Sequence, residues 1–108
     1  MSDRLYKINE LIKEEVGKMI QREIDVESGL ATIKAVDTTA DLHYSNVWIS
    51  YLGNNEKEYF EKLEGKKREI QKDLNHKLTM KYVPLIVFKV DHSGEYVETI
   101  EEVIKSVK

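Results

Sequence analysis

The chain contains no cysteine, which excludes a disulfide framework, a zinc knuckle and a thiol nucleophile, and nothing in it calls for an oxidising compartment. A cytoplasmic location is the expectation. A single proline, Pro84, and five glycines leave no linker or low-complexity tract between domains. Long hydrophobic runs are missing as well: "MSDRLYKINELIKEE" is broken by charge every few residues, which fits neither a secretory signal nor a membrane span. Phosphate-cradling and nucleophile-elbow patterns (G-x-x-x-x-G-K, G-x-G-x-x-G, G-x-S-x-G) do not occur. The three histidines, His43, His76 and His92, form no H-x-x-x-H pair, so neither a metal nor a cofactor is expected. Asp37 with Asp41, and Glu101 with Glu102, are neighbouring carboxylates, but without a pocket to shift their pKa values they read as surface charge. Catalysis is therefore not expected.

What is present is enough for one folded domain over residues 1–108. With 41% hydrophobic and 34% charged residues, the chain can bury a single core and stay in solution as a monomer. Its formal net charge of −3 is unevenly spread. Between residues 62 and 81 seven cations (Lys62, Lys66, Lys67, Arg68, Lys72, Lys77 and Lys81) meet three carboxylates (Glu64, Glu69 and Asp73), which leaves the rest at −7. A row of cations on an acidic body is an electrostatic footprint for nucleic acid. Gly65, beside Lys66, Lys67 and Arg68, adds a point where a phosphate backbone could approach closely. His76 lies next to the same stripe. The competing reading is a non-enzymatic protein-interaction module whose basic helix meets an acidic partner.

Periodicity gives the elements. Leu5, Ile8, Ile12, Val16, Met19, Ile20 and Ile24 recur at three and four after Ser2 and Asp3, the pattern of a long amphipathic helix. Gly17 within it marks an expected close approach to a sheet. Two strands follow, around 31–36 and 46–52, paired antiparallel. A helical run with Tyr59, Phe60 and Leu63, then Ile70, Leu74 and Leu78, is divided or kinked at Gly65. After Pro84, "LIVFKV" is a strand for a sheet interior, and Tyr96, Ile100, Val103, Ile104 and Val107 line a closing helix. The expected fold is α+β: a three-stranded sheet with helices on one face and a core that includes Ile8, Ile12, Ile33, Val47, Ile49, Leu74, Val87 and Phe88.

"DLHYSNVWISYLG" concentrates a tryptophan, two tyrosines and a histidine. From Asn46 it alternates, Val47, Ile49 and Tyr51 against Trp48, Ser50 and Leu52, so these aromatics are mainly fold residues. Trp48 is expected to be half-buried at a sheet edge. No aromatic is seen interleaving the lysines.

Taken together, "RLYKINELIKEEVGKMIQREI", "ADLHYSNVWISYLG" and "KLTMKYVPLIVFKVD" resemble, in order and spacing, the first helix, the aspartate-leucine turn with strand two, and the proline with strand three of bacterial ribosome-binding factor A. The resemblance runs over nearly the whole chain. It implies a type II KH-like domain (helix, strand, strand, helix, kink, helix, strand, helix) that binds the immature small (30S) ribosomal subunit and its 16S ribosomal RNA. It implies a role in late maturation and rRNA processing, with ribosomal proteins as further partners and no membrane. The RNA-binding residues expected are Lys62, Gly65, Lys66, Lys67, Arg68, Lys72, His76, Lys77 and Lys81. The family's kink triplet of alanine, any residue and glycine falls by count at Lys66, Lys67 and Arg68, so the kink is either displaced by one turn or made without small residues.

Overall fold

The computed structural model describes residues 3–24 and 29–91, and the backbone of 97–99. Helix α1 (Asp3–Glu23) turns the three-and-four spacing into one stripe, with Ile8, Ile12, Val16, Met19 and Ile20 buried. Asp3 in its first turn and Arg22 in its last complement the helix dipole. A Cβ on Gly17 would rest 3.8 Å from Ile33 Cδ1, an ordinary contact, so the expected close approach is not what places a glycine there.

Strands β1 (Gly29–Thr38) and β2 (Tyr44–Gly53) pair antiparallel, with Ile33 opposite Ile49 and a bulge at Lys34 where the register shifts. Both run longer than the apolar pattern alone indicates, because ladder hydrogen bonds continue past the last apolar residue. Their connection is organised by side chains. Asp41 accepts from the Thr39 hydroxyl at 2.6 Å and from the His43 N–H at 3.1 Å. The N–H of Leu42, at φ 63°, donates to the Thr39 carbonyl at 2.8 Å. Local acceptors thus hold a leucine in a left-handed conformation it would not choose alone.

Helices α2 (Glu56–Gly65) and α3 (Lys67–Lys77) carry the chain across one face to β3 (Leu85–Asp91), which lies parallel to β2 with Phe88 opposite Val47. The three expected strands form the sheet, and a short strand β4 (Val97–Thr99) adds antiparallel to Lys89–Asp91, giving the order β1-β2-β3-β4. At Val97–Thr99 the chain is therefore extended where a closing helix was expected. Two β-branched residues two apart, beside an open strand edge, outweigh helical spacing there. The rest of that expected helix, including Tyr96, Ile100, Val103, Ile104 and Val107, lies outside the described residues, as does His92.

The core sits between the sheet and the helices. Val47, Ile49, Ile86, Phe88 and Val90 meet Ile12, Val16, Phe60, Leu63, Ile70 and Leu74, all essentially buried. Six of the eight expected core residues belong to this cluster, but Ile33 is only half-buried at its margin. Val87 is half-buried on the opposite face, because it alternates with Ile86 and Phe88 along β3. Trp48 is half-buried as expected, yet not at an edge: β2 lies between β1 and β3, and the indole faces away from the helices with Lys89 Nζ 5.4 Å from its ring centroid.

Candidate nucleic-acid interface

The joint between α2 and α3 is Lys66, at φ −98° and ψ 0°. Its N–H donates to the carbonyls of Lys62 and Leu63, both at 3.1 Å, and its carbonyl accepts from the Ile70 N–H at 3.0 Å, so helical bonding passes through the bend. The kink is therefore made without small residues at 66 to 68. Gly65 is exposed, and a Cβ added to it would meet no atom within 4 Å. The fold does not require glycine at that position; its effect is to leave bare backbone on the surface.

Beyond the joint, Arg68, Gln71, Lys72 and Asn75 follow helical spacing and share one face of α3. That face and the first residues of β3 enclose a cleft of about 620 Å³, lined also by Tyr44, Glu64, Lys67, Ile86 and Val87. Strand β4 pairs only with Lys89, Val90 and Asp91, so the start of β3 has no strand neighbour on this side among the described residues. Gln71 fills part of the gap. Its Oε1 accepts the Ile86 N–H at 2.8 Å, and its Nε2 donates to the Pro84 carbonyl at 3.1 Å and to Asn75 Oδ1 at 3.0 Å.

The expected cations are sorted by this geometry. Arg68 and Lys72 line the cleft without an ion pair among the described residues, and Lys67 lines it with Glu64 3.9 Å from its Nζ. Lys66 lies on the other side of α3, 3.8 Å from Glu23 and 3.9 Å from Glu69. Beside it Arg22 bonds Asp73 at 2.6 Å, so this side is a seam between α1 and α3. Lys62, His76 and Lys77 are exposed outside the cleft. Lys81 is exposed further along, its Nζ 5.6 Å from the Tyr82 ring. Sequence reasoning did not single out Gln71, Asn75, Tyr44 or the β3 edge. The polar run at 68, 71, 72 and 75 was the one available signal.

Among the described residues no cluster of acidic and histidine side chains could hold a metal ion, and no helix is long and apolar enough to cross a membrane. The sequence profile of ribosome-binding factor A matches residues 4–104. This chain belongs to the ribosome-binding factor A family. The family's factor from Caldanaerobacter subterraneus is 33% identical over 111 residues, covering 99% of this chain and 91% of the relative. That from Halothermothrix orenii is 33% identical over 109 residues, covering 97% and 88%. Among solved structures, the crystal structure of ribosome-binding factor A from Thermus thermophilus superposes with a TM-score of 0.67 at 20% identity, over 78% of this chain and 92% of that one. A Thermus thermophilus homology model fitted into the cryo-EM map of a 30S complex of the factor superposes at 0.62 with 22% identity, over 73% and 86%. The fold is the type II KH-like arrangement of this family, with the cleft between α3 and the start of β3, on the side where no strand covers β3 among the described residues.

Proposed function

We propose that this protein is a ribosome-assembly factor that binds the immature 30S subunit through its 16S ribosomal RNA and assists late maturation and rRNA processing in the cytoplasm. The family membership supports the role, and the relative fitted into a 30S complex supports the partner. The observation that carries the binding site is the pairing, in one cleft, of two cations without an ion pair among the described residues, Arg68 and Lys72, with a β3 start that no strand covers among those residues. Arg68, Lys72 and Lys67 meet phosphates. The polar ends of Gln71 and Asn75 and the backbone of β3 meet sugar or base edges, and ribosomal proteins border the same surface. Binding alone does the work; no step of bond-making is needed.

The test is a double charge reversal, Arg68→Glu with Lys72→Glu, in a protein whose circular dichroism is unchanged, followed by sedimentation with immature small subunits before and after ribonuclease treatment. Binding should be lost in the variant and should be ribonuclease-sensitive in the parent. Undiminished sedimentation would remove the cleft as the RNA seat. Ribonuclease-resistant binding would favour an acidic protein partner instead.

A further inference from the structure

Past Asn75 the cleft does not end. Tyr44 and Leu85, which are register partners on β2 and β3, line it on one side and on the other line a second depression of about 870 Å³. This second depression lies between the Asp41–His43 turn and the connection from α3 to β3. Its exposed surface is aromatic and cationic. The Tyr82 ring is 75% exposed, Tyr44 48% and Leu85 55%. Lys81 stands over the Tyr82 ring. The one carboxylate lining it among the described residues, Asp41, is already engaged by Thr39, by the His43 N–H and by His43 Nδ1 at 3.1 Å. That leaves a trough with Tyr44 at its junction with the cleft and Tyr82, under Lys81, on its wall.

We infer that Tyr44 and Tyr82, with Lys81, form a second RNA subsite in which bases of the same single strand stack after leaving the cleft beside α3. The inference rests on the proposed cleft and extends it. Exposed tyrosines lining one depression, with Leu85 beside Tyr44, are the kind of apolar surface that marks an interaction site. Every base offers a π-face, so such a platform accepts RNA with little regard to sequence. A lysine beside the ring supplies the phosphate contact that follows each stacked base. The two depressions share Tyr44 and Leu85, so a strand lying against Arg68 to Asn75 passes these residues to reach Thr79 and Tyr82.

Two photo-crosslinking variants distinguish the parts. With benzoylphenylalanine replacing Asn75 the probe sits in the cleft; with the same group replacing Tyr82 it sits in the trough. On immature small subunits both should crosslink to 16S ribosomal RNA, at positions a few nucleotides apart. Tyr82→Ala should also weaken subunit binding by about fivefold or more, and Tyr82→Phe should not, because the π-face and not the hydroxyl is used. A crosslink to RNA from position 75, with one to ribosomal protein or to nothing from position 82, would overturn the subsite and leave the cleft standing. Absence of RNA crosslinks from both positions would overturn the cleft and the subsite together. Equal affinity of Tyr82→Ala and the parent would overturn the stacking role.

Discussion

Gln71 and Ile86, fifteen residues apart in sequence, are joined by a hydrogen bond from the backbone N–H of the strand to the side-chain oxygen of the helix at 2.8 Å. The Gln71 Nε2 of the same side chain donates to the Pro84 carbonyl at 3.1 Å, so one side chain takes hydrogen-bonding positions at the start of β3 where no strand pairs among the described residues. It closes part of the edge against stray pairing and leaves the rest of the cleft accessible.

Truncating this side chain should therefore be felt in the fold. Gln71→Ala leaves a half-buried N–H and a carbonyl without their partner, at a cost of about 1 to 2 kcal/mol. Urea unfolding measures the loss. Hydrogen exchange at the Ile86 amide should speed up more than at Phe88, and an unchanged exchange rate would show that water replaces the glutamine without penalty.

Strand β3 offers a sharper contrast between neighbours. Phe88 is 2% exposed in the core, so Phe88→Ala should cost about 3 to 5 kcal/mol. Val87 faces the other way, and Val87→Ala should stay within about 1 kcal/mol. Comparable losses at both positions would contradict the register with β2.

That contrast also marks how far the sequence could be read. In β2 the alternation was plain because one face meets the helices and the other carries Asn46, Trp48 and Ser50. In β3 every residue from Leu85 to Phe88 is apolar, so the pattern announced a strand without saying which face was buried. The basic stripe was visible as a charge count. Its division was not: Lys66 and Arg68 are about 200° apart around a helix axis, and only the phase of α3 against α1 and β3 decides which of them opens to solvent and which joins a carboxylate seam. Tyr44 and Tyr82 come to line one depression because the parallel pairing of β2 with β3 sets Tyr44 opposite Leu85, which no local pattern announces. The extended Val97–Thr99 was hidden for a related reason, since its partner edge is supplied by tertiary structure.

Tyr59 makes a prediction about pH. Its ring stacks on Tyr51 with centroids 4.6 Å apart, and its hydroxyl is buried with no hydrogen-bond partner among the described residues. Burial, and to a smaller degree the nearby Tyr51, pushes its pKa up to about 12 from the usual 10.0. The neutral phenol is the form the fold accepts, so its contribution is complete below pH 10 and is lost as the pH rises toward 12, where the unfolded chain ionises first. Tyr59→Phe removes the orphan hydroxyl. It should leave stability at neutral pH unchanged or higher by about 1 kcal/mol, and should flatten the decline that the parent shows between pH 10 and 12. Urea midpoints at pH 7 and pH 11 test both parts, and an equally steep decline in the phenylalanine variant would place the responsible group elsewhere.

Lys66 and Arg68 should separate the structural from the binding role of the basic stripe. Lys66 lies within 4.0 Å of Glu23 and of Glu69, on the seam where Arg22 also meets Asp73, so its charge is spent on joining α1 to α3. Exposed pairs of this kind contribute at most about 1 kcal/mol, and Lys66→Ala should lower stability slightly while leaving RNA binding intact. Arg68 faces the cleft without a carboxylate partner among the described residues, so Arg68→Ala should leave stability unchanged and weaken binding. Removing one cation that meets a phosphate of a single strand should also flatten the slope of log affinity against log salt by about 0.7. Lys72→Ala should repeat the Arg68 result, and the double variant should lose about twice as much slope if the two cations meet different phosphates. The measurement is small-subunit binding at a series of salt concentrations, with thermal unfolding in parallel. A slope that falls for Lys66→Ala and not for Arg68→Ala would reverse the assignment and move the RNA to the α1 side of α3, where the carboxylates of Glu23, Glu69 and Asp73 would then have to be displaced from their partners before a phosphate could enter.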